Sequence, residues 1–235
     1  MSTRTATGPG SRPRIPPLEN GDRLTRDEFE RRYRAMPEDV KAELVEGVVY
    51  MASPTRFESH GHADWRVVGW LATYQAATPG TDGSINSTVR LTEDSEPQPD
   101  SLLCIRPEFG GQVRFSEDDY IERAPELVVE VAASSASLDL GPKRRAYAAA
   151  GVREYIVWRT LDDAIDWFTL RDGAFVPLNP GADGLIKSEM FPGLWLDVAA
   201  ALRRDTAGIL TALQRGLRSP EHARFVADLQ SRRTS

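Results

Sequence analysis

A chain of 235 residues, 40% hydrophobic and 27% charged, can bury one sizeable core and needs no second domain. No window approaches the roughly 18 uncharged apolar residues of a membrane span, and the opening MSTRTATGPGSRPRIPP has no apolar stretch after its arginines. A soluble, cytoplasmic α/β protein is therefore expected. Cys104 is the only cysteine, which excludes an intrachain disulfide and a thiolate metal cluster. The net charge of -6 counts against a passive nucleic-acid binder, but it is unevenly spread. Acids outnumber bases from Glu93 to Glu130, whereas seven arginines follow Leu202 against Asp205, Glu221 and Asp228.

Residues 1–22, rich in Gly, Pro, Ser and Thr, read as a flexible leader. Thr25 can cap a short helix, with Glu28 completing a capping box and Leu24 stapling against Phe29. ELVEGVVYM, turning at Gly47, predicts a hairpin or bent strand pair. Ala63, Val67, Val68, Leu71 and Tyr74 recur at helical spacing and predict a helix from about Glu58 to Gln75. SINSTVRL predicts a strand with Ile85, Val89 and Leu91 inward. QPDSLLCI and ELVVEVA follow as strands, the second so continuously apolar that it should be central. The intervening GGQVRFSEDDYIERA reads as a polar loop with a helical turn around residues 117–121.

Asp139 or Ser137 can cap a helix that holds Pro142 in its first turn and stops at Gly151. EYIVW follows at once, so strand, helix and strand predict a right-handed crossover between parallel strands. AIDWFTLRDGAFVPL predicts a hairpin at Asp172-Gly173. Residues 185–198 predict edge strands running into the helical DVAAALRR. The expected organisation is a leader over 1–22, an α/β domain over 23–204, and a basic extension over 205–235, helical or partly disordered.

Glu130 interrupts an apolar strand, flanked on its own face by Val128 and Ala132. A buried carboxylate there is costly unless it is paired or binds a cation. A structural ion pair and an exposed strand end are the bland alternatives. Asp100, after Pro99, starts the preceding strand; Pro-Asp is common in turns, so its weight comes from standing one strand before Glu130. Two acids on adjacent strands can share magnesium, a hard cation that prefers oxygen ligands. Lys143 lies on the following helix and could reach back to them, or form an i,i+4 surface bridge with Asp139.

The order PD, ELVVEV, a lysine-bearing helix and EYIVW resembles the PD-(D/E)XK nuclease superfamily. More closely, AELVEGVVYMASP, QPDSLLCI, APELVVEVAASSASLDLGPKRRAYAAAGVREYIVW and FPGLWLDVAA resemble a bacterial restriction-endonuclease family of unestablished biological role, from about Leu24 to Leu202. The resemblance implies a restriction-endonuclease-like αβββαβ core: a mixed central sheet flanked by helices, with additional edge strands. It implies Asp100 and Glu130 as catalytic metal ligands for Mg2+, with Mn2+ a possible substitute, and the Val131 backbone carbonyl as a third ligand. Glu43 would approach the same site, and Lys143 would take the catalytic lysine role. The superfamily's usual lysine stands two residues after the glutamate, where this chain has Ala132, and the family's Ser-Pro-Ser is here Ala133-Ser134-Ser135. The resemblance also implies DNA as partner, a homodimer, and His60 as a site-adjacent residue.

His60 and His62, two residues apart, do not share a helix face, and joint metal binding is not expected. Tyr147, one turn after Lys143, either buttresses it or packs in the core. His222 is expected at the surface. No G-x-S-x-G, Walker A or G-x-G-x-x-G motif occurs, so serine-hydrolase chemistry and a nucleotide cofactor lack support. The leading expectation is a magnesium-dependent DNA endonuclease. Its rivals are a noncatalytic nucleic-acid or protein interaction module and a small-phosphoester hydrolase.

Overall fold

The computed structural model describes residues 15–233. Strands in chain order are β1 (Ala42–Val45), β2 (Val48–Met51), β3 (Thr81–Ile85), β4 (Val89–Arg90), β5 (Ser101–Ile105), β6 (Arg114–Phe115), β7 (Ile121–Glu122), β8 (Leu127–Ala132), β9 (Glu154–Arg159), β10 (Ala164–Arg171), β11 (Ala174–Pro177), β12 (Leu185–Lys187) and β13 (Trp195–Asp197). Helices are α1 (Arg26–Tyr33), α2 (His62–Ala77), α3 (Ala136–Leu138), α4 (Arg144–Ala150), α5 (Val198–Leu202), α6 (Thr206–Leu217) and α7 (Pro220–Arg232). Six strands form the central sheet in the order β11-β10-β9-β8-β5-β3. Only β8 and β9 run parallel within it, joined by the expected crossover through α3 and α4. The succession α2, β3, β5, β8, α4, β9 gives the αβββαβ core of a restriction-endonuclease-like fold.

Alternation along β8 divides its side chains between two layers. Leu127, Val129 and Val131 join Val67, Trp70 and Leu71 of α2 in one cluster; Val128 and Ala132 join Tyr147 of α4 in the other. A strand apolar on both faces must be covered on both, which is why β8 is central. The hairpins follow the turn residues. Glu46 and Gly47 both have positive φ, 50° and 75°, as do Asp172 and Gly173, at 47° and 79°. These are two-residue loops in which both central positions favour Gly, Asn or Asp.

Several sequence expectations shift. Thr25 does cap α1, accepting from the Glu28 N–H at 3.5 Å, but the Glu28 carboxylate turns to Arg31 and Arg32 instead of closing the box. Of the leader, residues 1–14 lie outside the described residues. Leu18 is buried, and the Gly21 N–H donates to the Val49 carbonyl, so the ordered chain begins before α1. The helix expected from Glu58 opens as a wide turn, Phe57–Gly61, before α2 proper. Ile85 is 53% exposed because β3 ends there and the chain leaves for a separate three-stranded sheet, β4-β7-β6. That small sheet replaces the polar loop, and residues 117–121 form no helix. Neither Ser137 nor Asp139 caps the crossover helix, since Asp139 is buried inside the turn Asp139–Lys143. After Leu202, α6 and α7 pack Ile209, Leu213 and Leu229 onto the α2 side of the sheet.

His222 is buried, not exposed. Its ring nitrogens lie 3.0 Å from Thr78 Oγ1 and 3.0 Å from the Leu217 carbonyl, where α7 meets α2. Burial lowers its pKa from 6.5. The neutral ring therefore stabilises the fold fully above pH 6.5, and that contribution is lost as pH falls through the lower folded value. The wild-type thermal midpoint should fall more steeply below pH 6.5 than that of His222→Gln, as circular dichroism melts at several pH values would register.

Glu154, fully buried at the start of β9, accepts from the backbone N–H groups of Glu189 and Met190 at 2.7 and 2.9 Å, from Ser188 Oγ at 2.7 Å, and from Trp167 Nε1 at 3.1 Å. Removing it leaves two buried donors and two part-buried ones without this acceptor. Glu154→Ala is expected to cost about 3 kcal/mol or more, read as a lowered urea midpoint.

Candidate functional site

The site forms at the carboxyl end of β8, where open α/β sheets commonly bind ligands. Glu130 sits on the α4 face of that strand, 3% exposed. Its Oε1 accepts from Lys143 Nζ at 3.0 Å and from Tyr147 Oη at 2.8 Å. The wide turn Asp139–Lys143 and the first turn of α4 carry Lys143 and Tyr147 four residues apart, so both reach the same oxygen. Lys143 Nζ also lies 2.8 Å from Glu43 Oε2, brought in by β1, and 3.8 Å from Asp139 Oδ1. The Asp139 to Lys143 pair exists, then, but both members are buried rather than on a helix surface.

Asp100 precedes β5, which pairs antiparallel with β8. Its Oδ2 accepts from the Val131 N–H at 2.7 Å, and its own N–H lies 3.5 Å from Glu130 Oε2. Asp100 Oδ1 is 3.3 Å from His60 Nε2, contributed by the wide turn before α2. The structure thus brings together Asp100, Glu130, Lys143, Glu43, Asp139, Tyr147, His60 and the Val131 backbone. It turns His62 away, 3.6 Å from Glu58 and against the Phe57 ring.

Asp64 escaped the sequence reading. It stands four residues after His60, a spacing that was available as a signal. Asp64 Oδ1 and His60 Nδ1 are buried and have no hydrogen-bond partner among the described residues, so they leave polar capacity for water or a ligand beside Asp100.

Negative charge is in excess here. Burial raises the Glu130 carboxyl well above the ordinary range, with Lys143 opposing; burial likewise raises Asp139, and burial and then the Asp100 charge raise Asp64. Burial alone would lower the Lys143 ammonium, but Glu130, Glu43 and Asp139 together outweigh it and hold Lys143 well above its usual value. The hydrogen bond to Asp100 raises His60. Lys143 stays charged, and the surplus carboxylates must share protons or attract a further cation.

Two other buried glutamates give the contrast. Glu126 accepts from the Ile105 and Gln112 N–H groups, each at 2.9 Å, and Glu154 is satisfied by the four donors described above. Neutral donors explain both as structural. Glu130 alone among the three faces an ammonium and other carboxylates.

Comparison with known families decides the lineage. A family model, Uma2, described as "Putative restriction endonuclease", matches residues 26–199. The chain belongs to the Uma2 family. A Uma2-type, PD-(D/E)XK-like ancestry agrees with the solved structure of a "putative nuclease belonging to DUF820" from Anabaena variabilis ATCC 29413. That structure superposes at a TM-score of 0.56 with 14% identity, covering 81% of this chain and 99% of its own, and it shows the shared fold. No curated protein matches.

The oxygen donors of Asp100 and Glu130 suit a hard cation, and Asp100 Oδ1 and Glu130 Oε2 are not engaged by Lys143. Among the described residues, no group of three or more His, Cys, Asp or Glu side chains is arranged to hold a metal.

Lys143→Met should destabilise the fold by roughly 3 to 5 kcal/mol, because Glu130 is left buried without its cation. Adding Glu130→Gln should restore part of that loss. Urea denaturation of the single and double variants measures the coupling.

Proposed function

We propose that this protein is a metal-dependent phosphodiester hydrolase acting on DNA. The observation that carries the reading is the contact of Glu130 with Lys143 at the end of a central strand, beside Asp100, in a member of a restriction-endonuclease family. Asp100 and Glu130 would hold Mg2+, or Mn2+ in its place, with the Val131 carbonyl as a third ligand. A bound ion supplies Lewis acidity and neutralises charge that develops on the phosphate.

The chain's own residues then divide the remaining work. The Val131 N–H fixes Asp100 through Oδ2 and leaves Oδ1 toward the site. Tyr147 and Lys143 hold Glu130 in one rotamer. The Lys143 ammonium can orient an attacking water and offset charge on a phosphate oxygen. Glu43 and Asp139 keep that ammonium protonated and aimed, and protonated His60 can meet a phosphate over Asp100.

A narrow small-phosphoester pocket has less support. Two cavities among the described residues, one lined by Val67, Trp70 and Val129 and one by His62, Ala63 and Thr160, do not include Asp100, Glu130 or Lys143. The noncatalytic reading keeps one specific support, the buried lock of Lys143 between Glu43 and Asp139.

Cleavage of supercoiled, linear and single-stranded DNA should depend on Mg2+ or Mn2+. It should fall on the order of a hundredfold or more in Asp100→Asn and Lys143→Ala. Melts confirm that each variant folds, and calorimetric Mn2+ titration of Asp100→Asn should show lost binding independently of turnover. Metal-dependent cleavage unchanged in both variants would rule out this site.

A further inference from the structure

Among the described residues, the three most exposed large apolar side chains are Trp65 at 75%, Phe57 at 69% and Leu161 at 67%. They stand in one neighbourhood. Phe57 lies in the same five-residue turn as His60, whose ring is 3.3 Å from Asp100. The Phe57 ring packs on His62 at a tilt of 60° with centroids 4.2 Å apart, and Trp65 follows His62 by one turn of α2. The β9 to β10 connection carrying Leu161 is pinned to that turn, with Thr160 Oγ1 donating to the Ser59 carbonyl at 2.5 Å. Ile85, 53% exposed at the end of β3, pairs in register with Ser101 directly after Asp100. Apolar surface from Phe57, Trp65 and Leu161 therefore lies beside the turn that carries His60.

Three guanidinium groups near this surface, those of Arg159, Arg204 and Arg66, are engaged within the fold, whereas Arg56, next to Phe57, is exposed. Arg159 pairs with Asp162 and Asp166, each at 2.6 Å, and Arg204 with Glu58 at 3.2 Å. Arg66 Nη1 donates to the His62 carbonyl at 2.5 Å and its Nε to the Arg204 carbonyl at 3.2 Å. Guanidinium groups so engaged offer little to a run of duplex phosphates, and the chain carries a net charge of -6. Exposed rings offer something else. Every nucleobase has a face that stacks on an aromatic side chain, but only an unpaired base presents it.

From this we infer that Phe57 and Trp65 are a stacking platform for unpaired nucleobases next to the phosphate held at Asp100, so that the substrate is a single strand or a duplex with unpaired nucleotides. This deepens the hydrolase reading and rests on its placement of a phosphate at Asp100. The affinity missing from the phosphate contacts comes from the bases, and the strand is gripped on one side of the scissile bond.

The test is binding without turnover. Fluorescence anisotropy in EDTA compares an oligothymidylate of about 16 nucleotides with a duplex of equal length, using the wild type, Phe57→Ala, Trp65→Ala and Trp65→Tyr. The single strand should bind the wild type roughly tenfold or more tightly than the duplex. Each alanine variant should lose about tenfold for the single strand and little for the duplex, with Trp65→Tyr retaining most of the affinity. Wild-type tryptophan emission should be quenched by the single strand, and less so in Trp65→Tyr. Equal affinities for the two substrates, no measurable binding, or alanine variants that bind as the wild type does would overturn the inference, even if cleavage occurs. Conversion of a dimer to a monomer by the alanine variants in sedimentation would also overturn it, by assigning the apolar surface to a second copy of the chain. Preferential single-strand binding without any cleavage would sustain it and refute the hydrolase reading alone.

Discussion

The Lys143 ammonium, closed in among Glu130, Glu43 and Asp139, is the interaction on which the site depends. Each carboxylate comes from a different element: the central strand, the N-terminal hairpin and the turn before α4. A charge buried among several partners cannot be removed without stranding them, and so the hairpin, the sheet and the crossover are held in one arrangement. Tyr147 adds a neutral donor to the same Glu130 oxygen, which fixes the carboxylate without changing the cluster's charge. Asp100 stands just outside this lock, tied to the Val131 N–H, and opens the cluster toward His60 and the sheet edge.

That arrangement also accounts for Ala132. In the superfamily pattern, a lysine two residues after the glutamate would share its strand face. Here Ala132 is completely buried in the cluster of Val128, Tyr147 and Val157, on the face covered by α4. A long side chain at that position would overpack the layer. Lys143 delivers an ammonium to Glu130 from the opposite direction, across the gap between helix and strand. The small residue on the strand and the lysine on the helix are two halves of one packing solution.

Much of this was legible in the sequence because the signals were local. The apolar run around Val129, the Asp172-Gly173 turn, and the strand, helix and strand from Leu127 to Arg159 each carry their cause within a few residues, and each formed where expected. Glu130 was legible for the opposite reason, as a violation of its own strand's pattern. What could not be read was set by contacts distant in sequence. Ile85 alternates correctly with Val89, yet it ends exposed because β3 stops and the chain changes sheets. His222 looks like a surface residue in a polar helix until Thr78 and the Leu217 carbonyl close around it. Asp64 lacks an apolar strand to stand out against, so only its distance from His60 along the helix could have marked it.

The three buried glutamates on or just before β8 and β9 show why burial by itself identifies no site. Glu126, Glu130 and Glu154 are all at most 3% exposed, and burial raises the carboxyl pKa of each. Glu126 and Glu154 are answered by N–H and hydroxyl donors of the chain itself, which can neither leave nor titrate near neutrality. Their carboxylates are therefore finished interactions that stitch loops to the sheet. Glu130 is answered by a group that is itself ionised and shared with other acids, and its second oxygen has only a 3.5 Å contact to the Asp100 N–H. Glu130 thus shares an oversubscribed partner, and its remaining oxygen has a long contact with a backbone donor. It is that unfinished valence, more than the cost of burying the charge, that separates Glu130 from its structural neighbours.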